Sequence, residues 1–442
     1  MPEEAVLPTL LLLSGQLRES ISKTKYKPPE GSNVSVKSTL ESLLPENDTD
    51  SDTSETLLRI KIRDFSLVCA TLASSQVSTS EHLLWIPNSL AISASSAFRE
   101  LAEAFCSTYT VESLRNISDL GLDLSLLPDE QKLVVELMPR VMPLLKEKVD
   151  ETSIDKSDEA DEISAASARA PVAYAIVAAY QLRWFVTQVG YPSLGKLWSL
   201  VIPCCLTALD HWSPEVKGQG MISFIHLAKN VNALEFGLYE DVILDACCQN
   251  VASTDEIWDY VVEMSVLLVT CLQPSNPRSF WYEKLLNEML SHLERQPRNK
   301  ERRIAWLKHI DPLFNCVGLV LLAHFRRIFP LFFKWMHADD DETILLVLDR
   351  IILVVKLTWI RNSPHFERLV DELVNLYKEA ALKIEREAIR TQVLQILILL
   401  HKCKGPQFEG VWNKHKDDPN LTALSSSLNG NNSTLVQGNK QC

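Results

Sequence analysis

Residues that can start a helix recur in this chain at a nearly constant interval, and that interval restricts the fold more than any other feature. Ser213 followed by Pro214 reads as a helix start: the hydroxyl can cap free amides, and proline sits where its missing N–H costs nothing. Ser253, Asn299 and the acidic corner Asp339–Asp341 have the same character. Starts expected at Ser213, Ser253, Asn299 and Asp341 lie 40, 46 and 42 residues apart. Each opens a second helix with its apolar residues on one face: Met221, Phe224, Ile225 and Ala228; Ile257, Val261, Met264, Leu268 and Cys271; Ile304, Leu307 and Ile310; Ile344, Leu348, Ile351 and Val355. A first helix precedes each, through Leu194–Cys205, then Gly237–Asn250, Phe280–Leu293 and Val317–Met336. From His365 to Lys404 the pattern is continuously helical, and only the spacing places a turn near Lys383.

A period of roughly 40–47 residues is that of armadillo and HEAT helix pairs. Individual positions agree. Pro203 lies inside a first helix, Asp210 lies in the turn within a repeat, and Val216–Lys217 supplies a β-branched residue and a base at the second-helix start. Pro330 and the Asp339 corner repeat the proline and the acid. No sustained alternation of period two marks a strand. The expected fold is therefore an all-α, HEAT/armadillo-like helical-repeat solenoid, an α–α superhelix. One pair cannot bury its own apolar faces; stacking buries them and leaves a long surface for partners.

The rest of the chain divides by composition. Residues 1–23 read as an N-terminal helix, 24–56 as a disordered acidic linker, and 57–149 as irregular helical repeats. Residues 150–164 read as a second acidic linker, 165–412 as the HEAT-like array, and 413–442 as a disordered tail. Of the net charge of −13, Glu46–Glu55 carries −5 and Glu147–Glu162 carries −6. The acidity thus sits in the linkers, and nucleic acid is not an expected partner. Removal of residues 1–56 is expected to be tolerated better than truncation after about residue 320, because linkers bury little apolar surface.

Hydrophobic residues make up 46% of the chain, enough for an extensive core. The ten cysteines lie in apolar helical text and read as reduced core residues of a cytosolic or nuclear protein. The N-terminus lacks the base and the apolar length of a signal peptide. Thr343–Ile360, interrupted by Asp349, Arg350 and Lys356, does not read as a membrane span.

No motif specifies chemistry. Asp339, Asp340, Asp341 and Glu342 resemble the aspartate-rich metal site of all-α terpenoid synthases, but Thr343 stands where a second carboxylate pair is needed, and a capped corner between helices fits better. Cys204–Cys205 and Cys247–Cys248 are adjacent pairs, which point about 100° apart on a helix and cannot share a tetrahedral metal. Gly218 and Gly220 follow no strand, so they read as a close approach of two helices rather than a phosphate loop. Arg298, Lys300, Arg302 and Arg303 read as a solvated helix start or a basic import site. Thr49 and Thr152 each precede an acid by three residues, as acid-directed kinases require. No catalytic, cofactor or metal residue is assigned. Ile328–Met336 is apolar all round: Phe329, Phe332, Phe333 and Met336 form one stripe, and Ile328, Leu331 and Trp335 the other. Either neighbouring repeats bury both stripes, or Ile328, Leu331 and Trp335 reach a groove and anchor a partner.

The segments "LWSLVIPCCLTALDHWSPEVKGQGMISFIHLAKNV" and "LEFGLYEDVILDACCQNV", within residues 191–272, resemble the Tti-two family, the Tel-two-interacting proteins of the Triple-T complex. The resemblance continues through "RRIFPLFFKWMHADDDET" and "ILILLHKC" to about Trp412. It implies an adaptor, not an enzyme. Its implied partners are a larger HEAT-repeat Triple-T subunit, a Tel-two-like subunit and the heat-shock chaperone machinery, with phosphatidylinositol-kinase-like protein kinases as clients. The alternatives are a HEAT-repeat scaffold or transport adaptor with unrelated clients and, more remotely, an all-α metal-dependent enzyme.

Overall fold

A computed structural model describes residues 3–30, 34–46, 55–78, 80–109, 127–152, 170–274, 276–361 and 364–428. Among these residues every regular element is helical. The chain forms two compact units, Met1–Ala246 and Cys247–Cys442. The boundary between them falls inside one helix, Glu240–Asn250.

The first unit contains α1 (Glu3–Ser22), α2 (Val36–Leu43), α3 (Glu55–Ser74), α4 (Asn88–Thr108), α5 (Asp129–Asp150), α6 (Val172–Thr187), α7 (Leu194–Asp210), α8 (Pro214–Asn230) and α9 (Ala233–Phe236), and the start of α10 (Glu240–Asn250). Val6, Leu10, Leu13, Leu17 and Ile21 recur every three or four residues along α1 and are buried. That stripe packs α1 against α3 and α4. Gln181 of α6 ties the pairs together, donating to Leu67 O at 3.1 Å and Thr71 Oγ1 at 2.9 Å. The α7–α8 pair is close because of Gly220, where a Cβ would lie 2.9 Å from the Ala208 Cβ. The expected role for a glycine here, close helix approach, is the one found.

Two stretches expected to be unstructured contribute to this unit. Within 24–56, Ser35 caps α2 by accepting from Ser38 N, and Val36, Leu40 and Leu44 are buried. The polar composition of the segment conceals an i, i+4, i+8 stripe that only tertiary burial stabilises. Thr152, at the head of the second expected linker, is wholly buried. Its hydroxyl donates to Val149 O at 2.9 Å and lies 3.0 Å from His211 Nε2. As a kinase target it is therefore closed in the folded chain. Thr49, and 153–164 of that linker, lie outside the described residues.

The second unit contains the end of α10, then α11 (Trp258–Leu272), α12 (Phe280–Arg295), α13 (Lys300–His309), α14 (Asp311–Val317), α15 (Phe325–Met336), α16 (Asp341–Thr358), α17 (Phe366–Glu379) and α18 (Arg386–Trp412). The caps differ from expectation in detail. Ser213 precedes Pro214 but makes no side-chain capping bond. Thr254, not Ser253, precedes the turn Asp255–Ile257 that leads into α11. Asn299 caps α13, accepting from Arg302 N at 3.1 Å. Asp340, one residue before the expected cap, accepts from Thr343 N at 2.9 Å.

The final turn, placed by spacing alone near Lys383, exists: a short 3-10 helix at Ala380–Leu382 leads through Lys383 to α18. The helix expected at Val317–Met336 begins only at Phe325, because Gly318 (φ +54°) opens a 3-10 connector, Gly318–His324. By length and composition Asp311–Met336 is apolar enough to cross a membrane; half of its most apolar stretch is buried in the protein. The expected tail 413–442 is structured in part, with Leu421, Leu424 and Leu428 buried.

Candidate partner-binding surface

The two edges of the second unit differ in chemistry. One carries the turns within repeats: 251–254, 296–299, 337–340 and 380–385. There a chain of polar contacts links each turn to the next. Asp255 accepts from Arg302 Nε at 2.5 Å and Asn299 Nδ2 at 2.8 Å, and Arg302 also donates to Ser253 O at 2.8 Å. The Arg302 hydrogen bond holds the Asp255 carboxyl below its ordinary range, against partial burial. Arg303 donates to Asp340 and, at 3.0 Å, to Thr343 Oγ1. At Asp340 burial pushes the pKa up, but hydrogen bonds from Thr343 and Arg303 outweigh it and the net shift is downward. Asp341 accepts from Glu385 N at 2.9 Å, and Lys383 donates to Ala338 O at 2.8 Å and Asp339 O at 3.1 Å.

These contacts bear on two motifs. Arg302 and Arg303 are spent on neighbouring repeats and form no free basic site. Glu342 pairs with Lys308 at 3.0 Å, so Asp340, Asp341 and Glu342 all serve as corner contacts. No group of three or more metal-ligating side chains occurs among the described residues. Cys204, Cys205, Cys247 and Cys248 are buried, and burial pushes the thiols of Cys204 and Cys247 up to about 12.

Helix α15 does not supply the expected partner anchor. Ile328, Leu331 and Trp335 are 0%, 5% and 1% exposed. The Trp335 indole donates to Pro297 O at 2.9 Å, and its ring centroid lies 5.9 Å from that of Trp306. The other stripe is equally covered, with Phe329, Phe332 and Met336 at 0%. Of the two readings of this doubly apolar helix, burial by neighbouring helices is correct.

The opposite edge carries the connectors between repeats, at 273–274, 276–279, 318–324, 359–361 and 364–365 among the described residues. At the start of α12, Phe280 is 66% exposed, and Lys284 Nζ lies 5.0 Å from the Trp281 ring centroid. A cleft of about 270 Å³ lies beside it, lined by Arg278, Tyr282, Glu283, Val320 and His324. At the end of α16, Trp359 and Ile360 both adopt left-handed backbone, at φ +53° and +43°. Ile360 N donates to Thr358 Oγ1 at 3.2 Å and the Ile360 side chain is fully buried, whereas Trp359 is 60% exposed. Periodicity could not have found this feature. Its one trace in the sequence is that α16 ends without the Gly or Asn that usually occupies such a position.

No family model matches the chain. An Arabidopsis thaliana protein, "Uncharacterized protein At2g39910", is 55% identical over 419 residues, covering 95% of this chain and 94% of the relative. The Mus musculus protein "TELO2-interacting protein 2" is 22% identical over 253 residues, 52% of this chain and 49% of that protein. Among solved structures, importin beta matches with a TM-score of 0.44 and 10% identity, over 94% of this chain and 49% of its own. Kap121p matches with a TM-score of 0.43 and 9% identity, over 91% of this chain and 46% of its own. The chain thus spans about half the length of the mouse protein and of these two structures. The scores are low, and the HEAT-like assignment stands on the capped helix pairs themselves.

Proposed function

We propose that this chain, which belongs to the family of the Arabidopsis thaliana protein At2g39910, is a non-enzymatic scaffold subunit of a Triple-T-like complex. In that role it binds a larger HEAT-repeat subunit and a Tel-two-like subunit, and acts with the heat-shock chaperone machinery. The clients are phosphatidylinositol-kinase-like kinases, stabilised during maturation in the cytoplasm and nucleus. The observation that carries this reading is the match to TELO2-interacting protein 2 over 253 residues. It agrees with the resemblance read from residues 191–272. Two structural features support it: charged clusters spent on internal corners, and large apolar side chains exposed at connectors, where protein partners find anchors.

Purification of the tagged full chain from cells that express it, followed by identification of stoichiometric partners, tests the proposal. A larger HEAT-repeat protein and a Tel-two-like protein are expected to co-purify through high-salt washing. Recovery of the chain alone, or only with unrelated cargo, would contradict it.

A further inference from the structure

The end of α16 is built against the interests of folding. A left-handed residue just past a helix end is usually Gly or Asn, since a Cβ is disfavoured there. Here the position holds Trp359, whose backbone N–H still closes the helix by donating to Val355 O at 2.8 Å. The next residue, Ile360, is also left-handed, which for a β-branched side chain is a rare conformation. Burial of Ile360 and its bond to Thr358 hold the pair in place. Nothing comparable justifies Trp359, which is 60% exposed. A large aromatic ring is thus kept in solvent on a backbone that prefers glycine, and such strain concentrates where a ligand is held.

The surroundings define the ligand's charge. Lys356, one turn earlier, and Arg361, two residues later, are exposed. Neither enters an ion pair among the described residues. Residues 351–366 contain no acid, and the first acid that follows, Glu367, is paired with Lys414.

We infer that Trp359, with Lys356 and Arg361, is a docking point for an acidic segment of a partner protein that carries an apolar side chain. The indole takes the apolar side chain, and the bases take the carboxylates. The site names a partner's chemistry, and it depends on the scaffold reading only in that the chain binds proteins.

The test uses the full-length chain and a fluorescein-labelled peptide of about twelve residues, rich in Asp and Glu with two leucines, against its Lys/Arg counterpart. Trp359→Gly removes the indole and suits the backbone. It should keep or raise the melting temperature while weakening acidic-peptide binding about tenfold or more. Lys356→Glu with Arg361→Glu should weaken it similarly, and added salt should weaken wild-type binding. Four results would overturn the inference: no preference for the acidic peptide; unchanged binding by Trp359→Gly; a melting temperature lowered by several degrees in that variant, which would make Trp359 structural; or Trp359-dependent binding only to vesicles of equal phosphatidylserine and phosphatidylcholine. Failure here with intact co-purification of large partners would leave the proposed function standing.

Discussion

The Asp340 carboxylate caps α16 through the Thr343 amide, 2.9 Å away, and also accepts from Arg303 of α13, so a helix start and a contact between repeats share one side chain. Both side chains are mostly shielded from solvent, at 18% and 11% exposure. Asp340→Ala is therefore expected to cost about 2–4 kcal/mol, combining a lost cap with a lost charge-assisted hydrogen bond. Denaturant unfolding of Asp340→Ala, Arg303→Ala and the double variant should show coupling of about 1 kcal/mol or more. Strict additivity would mean that the pair does not join the repeats.

The register at the α7–α8 corner predicts a contrast between neighbours. Val216 is fully buried and Lys217 half-buried, one step round the helix. Val216→Asp should cost several kcal/mol, since an unpaired carboxylate would sit in the core. Lys217→Asp should be much milder in thermal unfolding. Equal losses would contradict the assigned register.

Helix α1 is part of the core, so removal of residues 1–56 carries a cost in stability even if it is tolerated better than truncation after about residue 320. Leu10 is fully buried among Val6, Leu13 and the helices α3 and α4. Leu10→Ala should cost about 2–5 kcal/mol, and deletion of residues 1–23 should expose the α3–α4 surface and lower solubility. A truncated chain with an unchanged unfolding midpoint would show that α1 contributes nothing.

These corrections show where a periodic pattern carries information. The Asp339–Asp341 corner was legible because acids favour helix starts, and the turn at Lys383 because stacked pairs have nearly equal lengths. The shift of the cap from Asp341 to Asp340 was not legible, since adjacent aspartates offer the same chemistry and tertiary contacts choose between them. Helix α2 was missed because Val36, Leu40 and Leu44 are outnumbered by polar neighbours, and only α1, α3 and α6 complete its environment. Composition could show that Ile328–Met336 is apolar all round. It could not show that Trp306 and Pro297 already occupy the Trp335 side. Trp359 has no periodic signature, because its exposure follows from the backbone of a single turn.

His211 makes stability depend on pH. Its Nδ1 accepts from Ser213 N at 3.0 Å, so the proton of the neutral ring sits on Nε2, facing Thr152 Oγ1. Burial lowers its pKa from the ordinary 6.5, outweighing the contribution of Thr152. Because the folded value lies below the unfolded one, the stabilisation is complete above pH 6.5 and is lost as the pH falls below it. Burial also lowers the pKa of His292, His324 and His365, which adds to the same slope. Unfolding free energies between pH 7.5 and 5.5 should fall with pH, and His211→Asn should flatten the dependence. An unaltered slope would place the titration elsewhere.

We propose that this chain maintains large kinases by holding a maturation complex together. The most direct measurement is the half-life of the phosphatidylinositol-kinase-like kinases, followed by pulse-chase in cells depleted of the chain and re-expressing it. Shortened half-lives with unchanged messenger levels, restored by the full chain but not by one truncated after about residue 320, are the outcome this account predicts. Unchanged half-lives in depleted cells, with a purified chain that stays monomeric and binds no large partner, would contradict it.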